Sequence, residues 1–294
     1  MRRHKSIFEI VAKFHTEEQC IKHLERIRWP RGLQCIRCKS KKVITFHAKV
    51  KTKKDRHLYE CNECRYQYSV TAGTIFHDSH IPLVKWFLAI FMICSAKKGV
   101  AATQLKRDLA LGSYKTAWYM AHRIRLAMQA DAEFCRKFSG IVEVDETYIG
   151  GKGIGRGGRG HSNKIPVVAI KERLSGLVQM KALKNVSARS LAEFIRKRTK
   201  RNTTIHTDQF ASYFWLDSSE FVHRSVNHSK QYVAPGNVHC NGVENIWSLL
   251  KRGITGIYHK VSAKYLPLYL DEFAFRFNHR DSFNMMDRVL TTCS

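Results

Sequence analysis

The sequence predicts a multidomain protein of mixed α+β and α/β structure, with a C-terminal α/β domain as its largest part. Three observations predict this organisation: two C-x-x-C pairs near the N-terminus, two helical patterns joined by a short turn in the middle, and strand patterns alternating with helices after residue 139. We therefore expect domains at residues 1–75, 76–138 and 139–294. A chain of 294 residues has room for two or three compact units.

The composition is strongly basic. There are 51 Lys and Arg against 24 Asp and Glu, which gives a formal net charge of +27. Each of the three segments carries an excess of basic residues, so a long polyanion such as double-stranded DNA explains the charge better than a small acidic ligand. An anionic membrane is the rival partner, and we do not expect it. The apolar stretch at residues 86–94 is too short to span a bilayer, and no signal peptide opens the chain.

The first segment contains two C-x-x-C pairs with 22 residues between them. The four cysteines are Cys35, Cys38, Cys61 and Cys64. Four thiolates at this spacing are a ligand set for one tetrahedral Zn²⁺ ion, and strand patterns at 43–46 and 58–60 predict a zinc ribbon. Protein ligands fill every position, so the ion is structural and not catalytic. The other five cysteines are scattered, which predicts a reducing compartment, and hence a cytoplasmic, nucleoid-associated protein.

The middle segment has the layout of a helix-turn-helix. A short helix at 101–109 is followed by a turn with Gly112 and by a longer helix from Tyr114 to Met128. The buried stripe expected on the longer helix is Ala117, Ala121, Ile124 and Met128. Its other faces are expected to show Lys115, Thr116, Tyr119, His122, Arg123 and Arg125. Such a second helix enters the major groove of DNA. The DNA-binding candidates are therefore Lys115, Tyr119, His122 and Arg123, and a plain helical linker domain is the alternative.

The third segment begins with an apolar, β-branched run at 142–149 that contains Asp145. Strand patterns at 165–170, 177–180, 203–207 and 221–226 follow. Helical patterns lie at 190–198, after Asp208 with Tyr213 and Trp215, and from Val243. Three strands, helix, strand, helix, strand and helix is the order of the ribonuclease H-like fold, a mixed sheet with helices on both faces. The glycine-rich loop at 150–163 carries Lys152, Arg156 and Arg159, which favour a basic arm on DNA over an ordinary hairpin loop.

Three acids stand out in this segment. Asp145 lies in the first strand, Asp208 ends the fourth, and Glu244 lies in the helix after the fifth. In such a sheet, site residues gather where strands end. Three carboxylates brought together there repel one another, and two bound Mg²⁺ ions usually neutralise that repulsion. Lys251, seven residues after Glu244, falls on the same helix face and can hold a DNA phosphate. Each acid also has a structural alternative. Asp145 could form a strand-end salt bridge, Asp208 could be a helix N-cap, and Glu244 could be a surface acid.

Four stretches resemble the signatures of bacterial insertion-sequence transposases of the DDE superfamily, in the branch with an N-terminal zinc ribbon (ISXO2-like). They are 145–152, 207–208, 239–252 and 272–280. The resemblance implies Mg²⁺-dependent cleavage at element ends, strand transfer into target DNA, and a dimer or higher assembly. It also implies that Asp145, Asp208 and Glu244 bind the metal and that Lys251 is the associated base. Because Asn can replace the third acid in this branch, Asn241 is a second candidate.

Neighbouring residues are expected to play structural parts. We expect Glu143 and Glu146 to face away from Asp145, and Asp271 and Glu272 to form ion pairs. Histidines near the predicted site, His206, His228 and His239, are loop residues or phosphate contacts. Two other functions compete with a transposase: a catalytically inactive DNA-binding regulator derived from one, and a junction-resolving nuclease. The complete acid set disfavours the regulator, and two dedicated DNA-binding segments disfavour the nuclease.

Overall fold

The computed structural model of the chain describes residues 6–49, 55–150, 164–216, 220–227 and 233–292. The chain divides into two compact units. The first comprises Met1–Ser95, Ala102–Ala127 and Ser282–Ser294, and the second comprises Ala96–Ala101 and Met128–Asp281. The segments predicted as a ribbon and a helix-turn-helix thus lie largely in one unit, which also takes in the C-terminal helix.

The first unit opens with two capped helices and a small sheet. Helices α1 (Ile7–Lys13) and α2 (Glu17–Arg28) each begin with a reciprocal capping box, Ser6 with Glu9 and Thr16 with Gln19. The antiparallel strands are β1 (Val43–Lys49), β2 (Asp55–Cys61) and β3 (Gln67–Tyr68), in the order β1-β2-β3. The strands predicted in the ribbon are therefore present.

Four further helices complete this unit: α3 (Leu83–Ser95), α4 (Ala102–Asp108), α5 (Tyr114–Gln129, the last two residues of which belong to the second unit) and, near the C-terminus, α9 (Met285–Thr292). The apolar face of α3 is buried around Phe87 and Ile90. The predicted stripe of α5, from Ala117 to Met128, is also buried. The helical period alone was enough to identify that face, because residues three and four apart share one side of a helix.

The second unit is built on a five-stranded mixed sheet. Its strands are β4 (Ile141–Gly150), β5 (Lys164–Glu172), β6 (Val178–Ala182), β7 (Thr204–Asp208) and β8 (Val222–Val226). The order is β6-β5-β4-β7-β8, with the first three strands antiparallel and β7 and β8 parallel to β4. The predicted succession of strands and helices is confirmed, and with it the ribonuclease H-like class.

Helices cover both faces of this sheet. Helix α6 (Ala188–Arg198) and a short 3₁₀ helix (Ala211–Leu216) pack on the face that contains Val144 and Ile170. Helices α7 (Asn241–Gly253) and α8 (Leu266–Asn278) pack on the opposite face, which contains Ala169. One π-helical turn (Ile254–Tyr258) directly follows α7. Side chains that alternate along β4 therefore enter two different cores.

Within the described ranges, no helix combines the length and the apolar character that a bilayer crossing requires.

Candidate functional site

Asp145 and Asp208 lie on neighbouring strands. β4 and β7 run parallel, and the last residues paired between them are Glu143 and His206. The same register, continued by two residues, brings Asp208 beside Asp145. Because Asp208 is the last residue of β7, the two carboxylates lie where β7 leaves the sheet and where helices and loops can approach them.

Asp145 points to the sheet face that α7 covers. It is paired with Ala169 of β5, and residues paired across antiparallel strands share a face. Ala169 belongs to the core beneath α7. From α7, the indole N–H of Trp247 donates a hydrogen bond of 2.9 Å to Asp145 Oδ2. The helix that carries Glu244 and Lys251 is therefore in direct contact with the first acid.

Three carboxylates converge at this end of the sheet. One oxygen each from Asp145, Glu146 and Asp208 lies within 4.8 Å of the others. Burial, followed by the negative charges of Glu146 and Asp208, raises the pKa of Asp145 to about 7, although the Trp247 hydrogen bond opposes the shift. The group thus carries a repulsion that a bound cation would relieve.

Glu146 joins the cluster from the other sheet face. It pairs with Val168, which belongs to the core beneath α6, and its Oε2 accepts a 2.8 Å hydrogen bond from the buried hydroxyl of Tyr213. Glu146 therefore points to the opposite sheet face from Asp145, as predicted. Its carboxylate is nevertheless close to that of Asp145. The neighbouring strand β7 ends at Asp208, so the long Glu146 side chain can reach past the end of that strand.

Glu244 and Lys251 lie on the exposed side of α7. Glu244 is one turn before Trp247, and Lys251 is one turn after it. Glu244 does not belong to the group of described acids whose oxygens lie within 4.8 Å of one another. Burial, followed by the negative charges of nearby carboxylates that include Asp145, Asp208 and Glu244, raises the pKa of the Cys240 thiol. Asn241 Oδ1, also on α7, is buried and accepts no hydrogen bond from the described residues.

The donor set fits a hard divalent cation. Mg²⁺ is bound through carboxylate oxygens, and those of Asp145, Asp208 and Glu146 are close enough to be shared. Burial and the two neighbouring carboxylates raise the pKa of Asp145 and so favour its protonation when no cation is bound. These residues could therefore hold the predicted divalent metal.

In the metal-free protein, we expect Asp145→Asn to be more stable than the wild type, with a difference that grows between about pH 4 and pH 7. The pKa of Asp145 rises from 3.8 to about 7 on folding. The folded state therefore keeps a proton that the unfolded chain loses, and stability falls as the pH rises through this window. Melting temperatures of both proteins across the window, without added Mg²⁺, measure the effect.

Asp281→Asn, which removes an exposed acid from the same unit, is the matched control for the loss of one negative charge. Added Mg²⁺ should stabilise the wild type more than Asp145→Asn near neutral pH. A difference between Asp145→Asn and the wild type that stays flat or shrinks with pH would contradict the raised pKa.

The position of Glu143 differs from the prediction. It was predicted to face away from Asp145, but residues two apart on a strand share a face, and its side chain lies beneath α7. Its Oε1 accepts a 2.8 Å hydrogen bond from Arg173 Nε, and its Oε2 accepts one of 3.1 Å from the backbone N–H of Val243. The signal for this residue was present in the sequence as a second acid inside an apolar strand.

Other polar residues near the site are buried or form contacts within the protein. His206 is 2% exposed, its Nδ1 has no hydrogen-bond partner among the described residues, and burial, helped by Arg173, lowers its pKa to about 4. Burial likewise lowers the pKa of His239. Glu272 is fully buried and paired with Arg276 at 3.0 Å, so the predicted ion pair is present. Asp271 instead accepts a hydrogen bond from Gln129.

The four cysteines of the ribbon converge. One sulfur from each lies within 4.8 Å of the others, with 3.6 Å between Cys35 and Cys64 and 3.5 Å between Cys38 and Cys61. Backbone N–H groups donate to the sulfurs, and the one of Cys64 is the main cause that lowers the pKa of Cys61 to about 7. A deprotonated thiolate is the form that binds zinc. The fit to one structural Zn²⁺ ion is therefore good.

The predicted DNA-facing side of α5 is only partly exposed. Lys115 and Tyr119 are exposed, and the Lys115 ammonium lies 5.9 Å from the centre of the Tyr119 ring. His122 is buried and stacks on Trp118 with ring centres 3.7 Å apart, and Arg125 is buried as well. The prediction that His122 and Arg125 lie on exposed faces is therefore wrong.

The reason is that α5 is covered on a second side. The Arg123 guanidinium donates to the carbonyls of Ile75 and His77 at 3.0 and 2.8 Å, so the segment before α3 packs across it. A single apolar stripe identifies one buried face of a helix. It does not reveal a second buried face that is lined by polar side chains. Lys152, Arg156 and Arg159, and also His228, lie outside the described residues.

Two family models match the sequence. Residues 137–278 match the ISXO2-like transposase domain, and residues 15–67 match the transposase zinc-ribbon domain. The first match contains all of the clustered acids together with Glu244 and Lys251. The second contains the four cysteines.

The sequence is similar to two known proteins, and the structure is weakly similar to one solved structure. A Halobacterium salinarum protein described as an uncharacterized protein in transposable element ISH50 is 26% identical over 282 residues, which cover 90% of this chain and 92% of that protein. An uncharacterized transposase-like protein of Haemophilus influenzae is 35% identical over 97 residues, covering 33% and 77%. A chain of the pre-cleavage Mos1 transpososome covers 66% and 75% at 13% identity, with a TM-score of 0.27, too low to bear on the site.

Proposed function

Because the chain belongs to the ISXO2-like transposase family, we propose that it binds the terminal inverted repeats of an insertion sequence and catalyses Mg²⁺-dependent DNA cleavage and strand transfer. The observation that carries the proposal is the convergence of Asp145, Asp208 and Glu146 within 4.8 Å at one end of the sheet. A site of this kind in a chain with a net charge of +27 suits a phosphodiester substrate.

Asp145 and Asp208 hold the catalytic metal in this proposal. Two Mg²⁺ ions bound there would supply activation of the attacking oxygen and stabilisation of the leaving oxygen at phosphorus. Trp247 keeps the Asp145 carboxylate oriented through its hydrogen bond to Oδ2. Lys251, on the exposed face of the same helix, holds a DNA phosphate near the acids.

The third carboxylate comes from Glu244 in this proposal, and Glu146 adds negative potential. Support for this division is that Glu146 enters the cluster from the opposite sheet face, where Tyr213 donates to it, whereas Glu244 lies on the helix that contacts Asp145. Replacing each residue in turn with Gln distinguishes their roles. Glu244→Gln should abolish cleavage and Glu146→Gln should retain it, while the opposite pattern would make Glu146 the third ligand.

The test of the function uses the full-length protein and a duplex carrying the repeats that flank its gene. Strand cleavage with Mg²⁺ and none without it is the expected result. Repeat binding without cleavage would support the inactive regulator instead. Structure-specific cutting of branched DNA, with no preference for the repeats, would support a junction nuclease. We also propose that two copies pair the two element ends, which sedimentation of the protein–DNA complex measures.

The exposed side of α5 contacts DNA in this proposal, through Lys115 and Tyr119. We expect Lys115→Ala to weaken binding of the repeat duplex about tenfold and to reduce the slope of log affinity against log salt by about 0.9, as for one lost phosphate contact. Tyr119→Ala should weaken binding with less change in that slope. Fluorescence anisotropy at several salt concentrations measures both quantities.

Lys22→Ala is the matched control, because Lys22 is an exposed lysine of the same unit on a different helix. It should leave both the affinity and the salt slope near the wild-type values. If Lys115→Ala and Lys22→Ala gave equal effects, general charge would be responsible and the assignment of α5 would be wrong.

A further inference from the structure

Helix α7 begins without a cap of its own. Its N-cap residue is Cys240, whose side chain makes no capping hydrogen bond. The first N–H groups of a helix have no partner within the helix and carry partial positive charge, so a carboxylate is a favourable partner. Glu143 of β4 accepts a 3.1 Å hydrogen bond from the Val243 N–H, which it shares with the Cys240 carbonyl at 3.0 Å, and so brings a negative charge to the start of the helix. The cap is supplied by the neighbouring strand.

Arg173 ties the same carboxylate to the loop that leads into α7. It donates to Glu143 Oε1 at 2.8 Å, to the Asn237 carbonyl at 2.8 Å and to the His239 carbonyl at 2.9 Å. Glu143 is 1% exposed, so its charge is buried and paired. This connection fixes both the entry of the helix and its first turn against β4.

Gly242 leaves the space that this arrangement needs. A Cβ added there would lie 2.5 Å from Glu143 Oε2 and 2.5 Å from Lys171 Nζ. Such distances are far inside van der Waals contact, so any side chain at this position would displace the carboxylate or the helix. The close approach of α7 to Glu143 therefore depends on a glycine at the second helical position.

The helix is attached to the strand at two points with matching spacing. Glu143 and Asp145, two residues apart on β4, accept from Val243 and Trp247, four residues apart on α7. Two residues of strand span about 6.6 Å and four residues of helix rise about 6 Å. The two hydrogen bonds therefore hold α7 in one register along β4.

We propose that Glu143 and Arg173 are positioning residues that set where α7 places Glu244 and Lys251 relative to Asp145 and Asp208. This inference rests on the proposed function, because it concerns the same site. It assigns to Glu143 no contact with substrate or metal. Its effect passes through the first turn of α7.

The first test is independent of catalysis. Hydrogen–deuterium exchange of the full-length protein without DNA reports on the backbone of α7. In Glu143→Ala, the amides from Val243 to Leu250 should exchange about tenfold faster, as expected for a lost cap and anchor. In Glu143→Gln, whose amide oxygen can still accept from Val243, the loss of protection should be smaller. Unchanged protection in Glu143→Ala would overturn the inference.

Glu172→Gln is the matched control. Glu172 is 2% exposed on β5, pairs with Arg136 and accepts from the Ser139 N–H and the Ser175 hydroxyl, and within the described part of the chain none of these partners belongs to α7. The control should lower the melting temperature as Glu143→Gln does, but should leave exchange in α7 unchanged. Equal loss of α7 protection in Glu172→Gln would mean general destabilisation and would also overturn the inference.

The second test separates positioning from binding. At a temperature where all variants are folded, we expect Glu143→Gln to lower kcat for repeat cleavage about tenfold and Glu143→Ala about a hundredfold, with the Kd for DNA within about twofold of wild type. Glu172→Gln should keep the wild-type kcat. Wild-type kcat in Glu143→Ala would overturn the inference. If the wild type cleaves no DNA, the proposed function fails, and the exchange experiment still decides whether Glu143 positions α7.

Discussion

Replacing Asp145 with Ala is expected to lower the rate of Mg²⁺-dependent nicking of the repeat duplex by at least about a thousandfold, and Asp208→Ala should do the same. Stabilisation of charge by a bound metal is worth several kcal/mol, and each 1.36 kcal/mol corresponds to about tenfold in rate. Asp145 within β4 lies beside Asp208 at the end of β7, so losing either removes a shared ligand. Single-turnover cleavage of an end-labelled duplex measures the loss.

DNA binding should survive both substitutions, because each removes negative charge from a crowded acidic cluster and leaves the basic surfaces intact. Glu193→Gln is the control, since Glu193 is an exposed acid of α6, which packs on the opposite sheet face. That variant should cleave as the wild type does. Nicking that persists in both Asp variants would exclude this site as the catalytic centre.

Replacing Cys35 or Cys61 with Ser is expected to release the zinc ion and unfold the ribbon. The four sulfurs lie within 4.8 Å of one another, and a structural zinc site contributes on the order of 10 kcal/mol or more to folding. The small sheet β1-β2-β3 has little else to replace that contribution. Metal analysis of the purified full-length protein should fall from about one equivalent of zinc to none, and limited proteolysis should then cut within residues 15–67.

Cys135→Ser is the matched control, because Cys135 is an exposed free thiol in the second unit. It should keep the full zinc content and the wild-type proteolysis pattern. A Cys35→Ser protein that still held one equivalent of zinc would show that the four cysteines are not the ligand set.

Local patterns were sufficient for most of the fold. The strand at Asp145 was predicted from β-branched residues, and the buried stripe of α5 from the spacing of Ala117 to Met128. The zinc ribbon followed from cysteine spacing, because four thiolates at two C-x-x-C pairs have few other uses. These features depend on neighbours along the chain, which the sequence displays directly.

Features that depend on contact between two elements of secondary structure could not be predicted from the sequence. The burial of His122 depends on what else packs across α5, and a helix period shows only the apolar face. Glu146 falls on the predicted sheet face, yet its carboxylate reaches that of Asp145 because the neighbouring strand β7 ends beside them at Asp208.

By itself, the sequence determined the order of strands and helices, the cysteine ligand set and the candidates Asp145, Asp208 and Glu244. Only the tertiary structure decided which acids meet and that Glu143 caps a helix a hundred residues away along the chain. The physical reason is that period and propensity are local properties, whereas the distance between two carboxylates is set by strand register and helix packing.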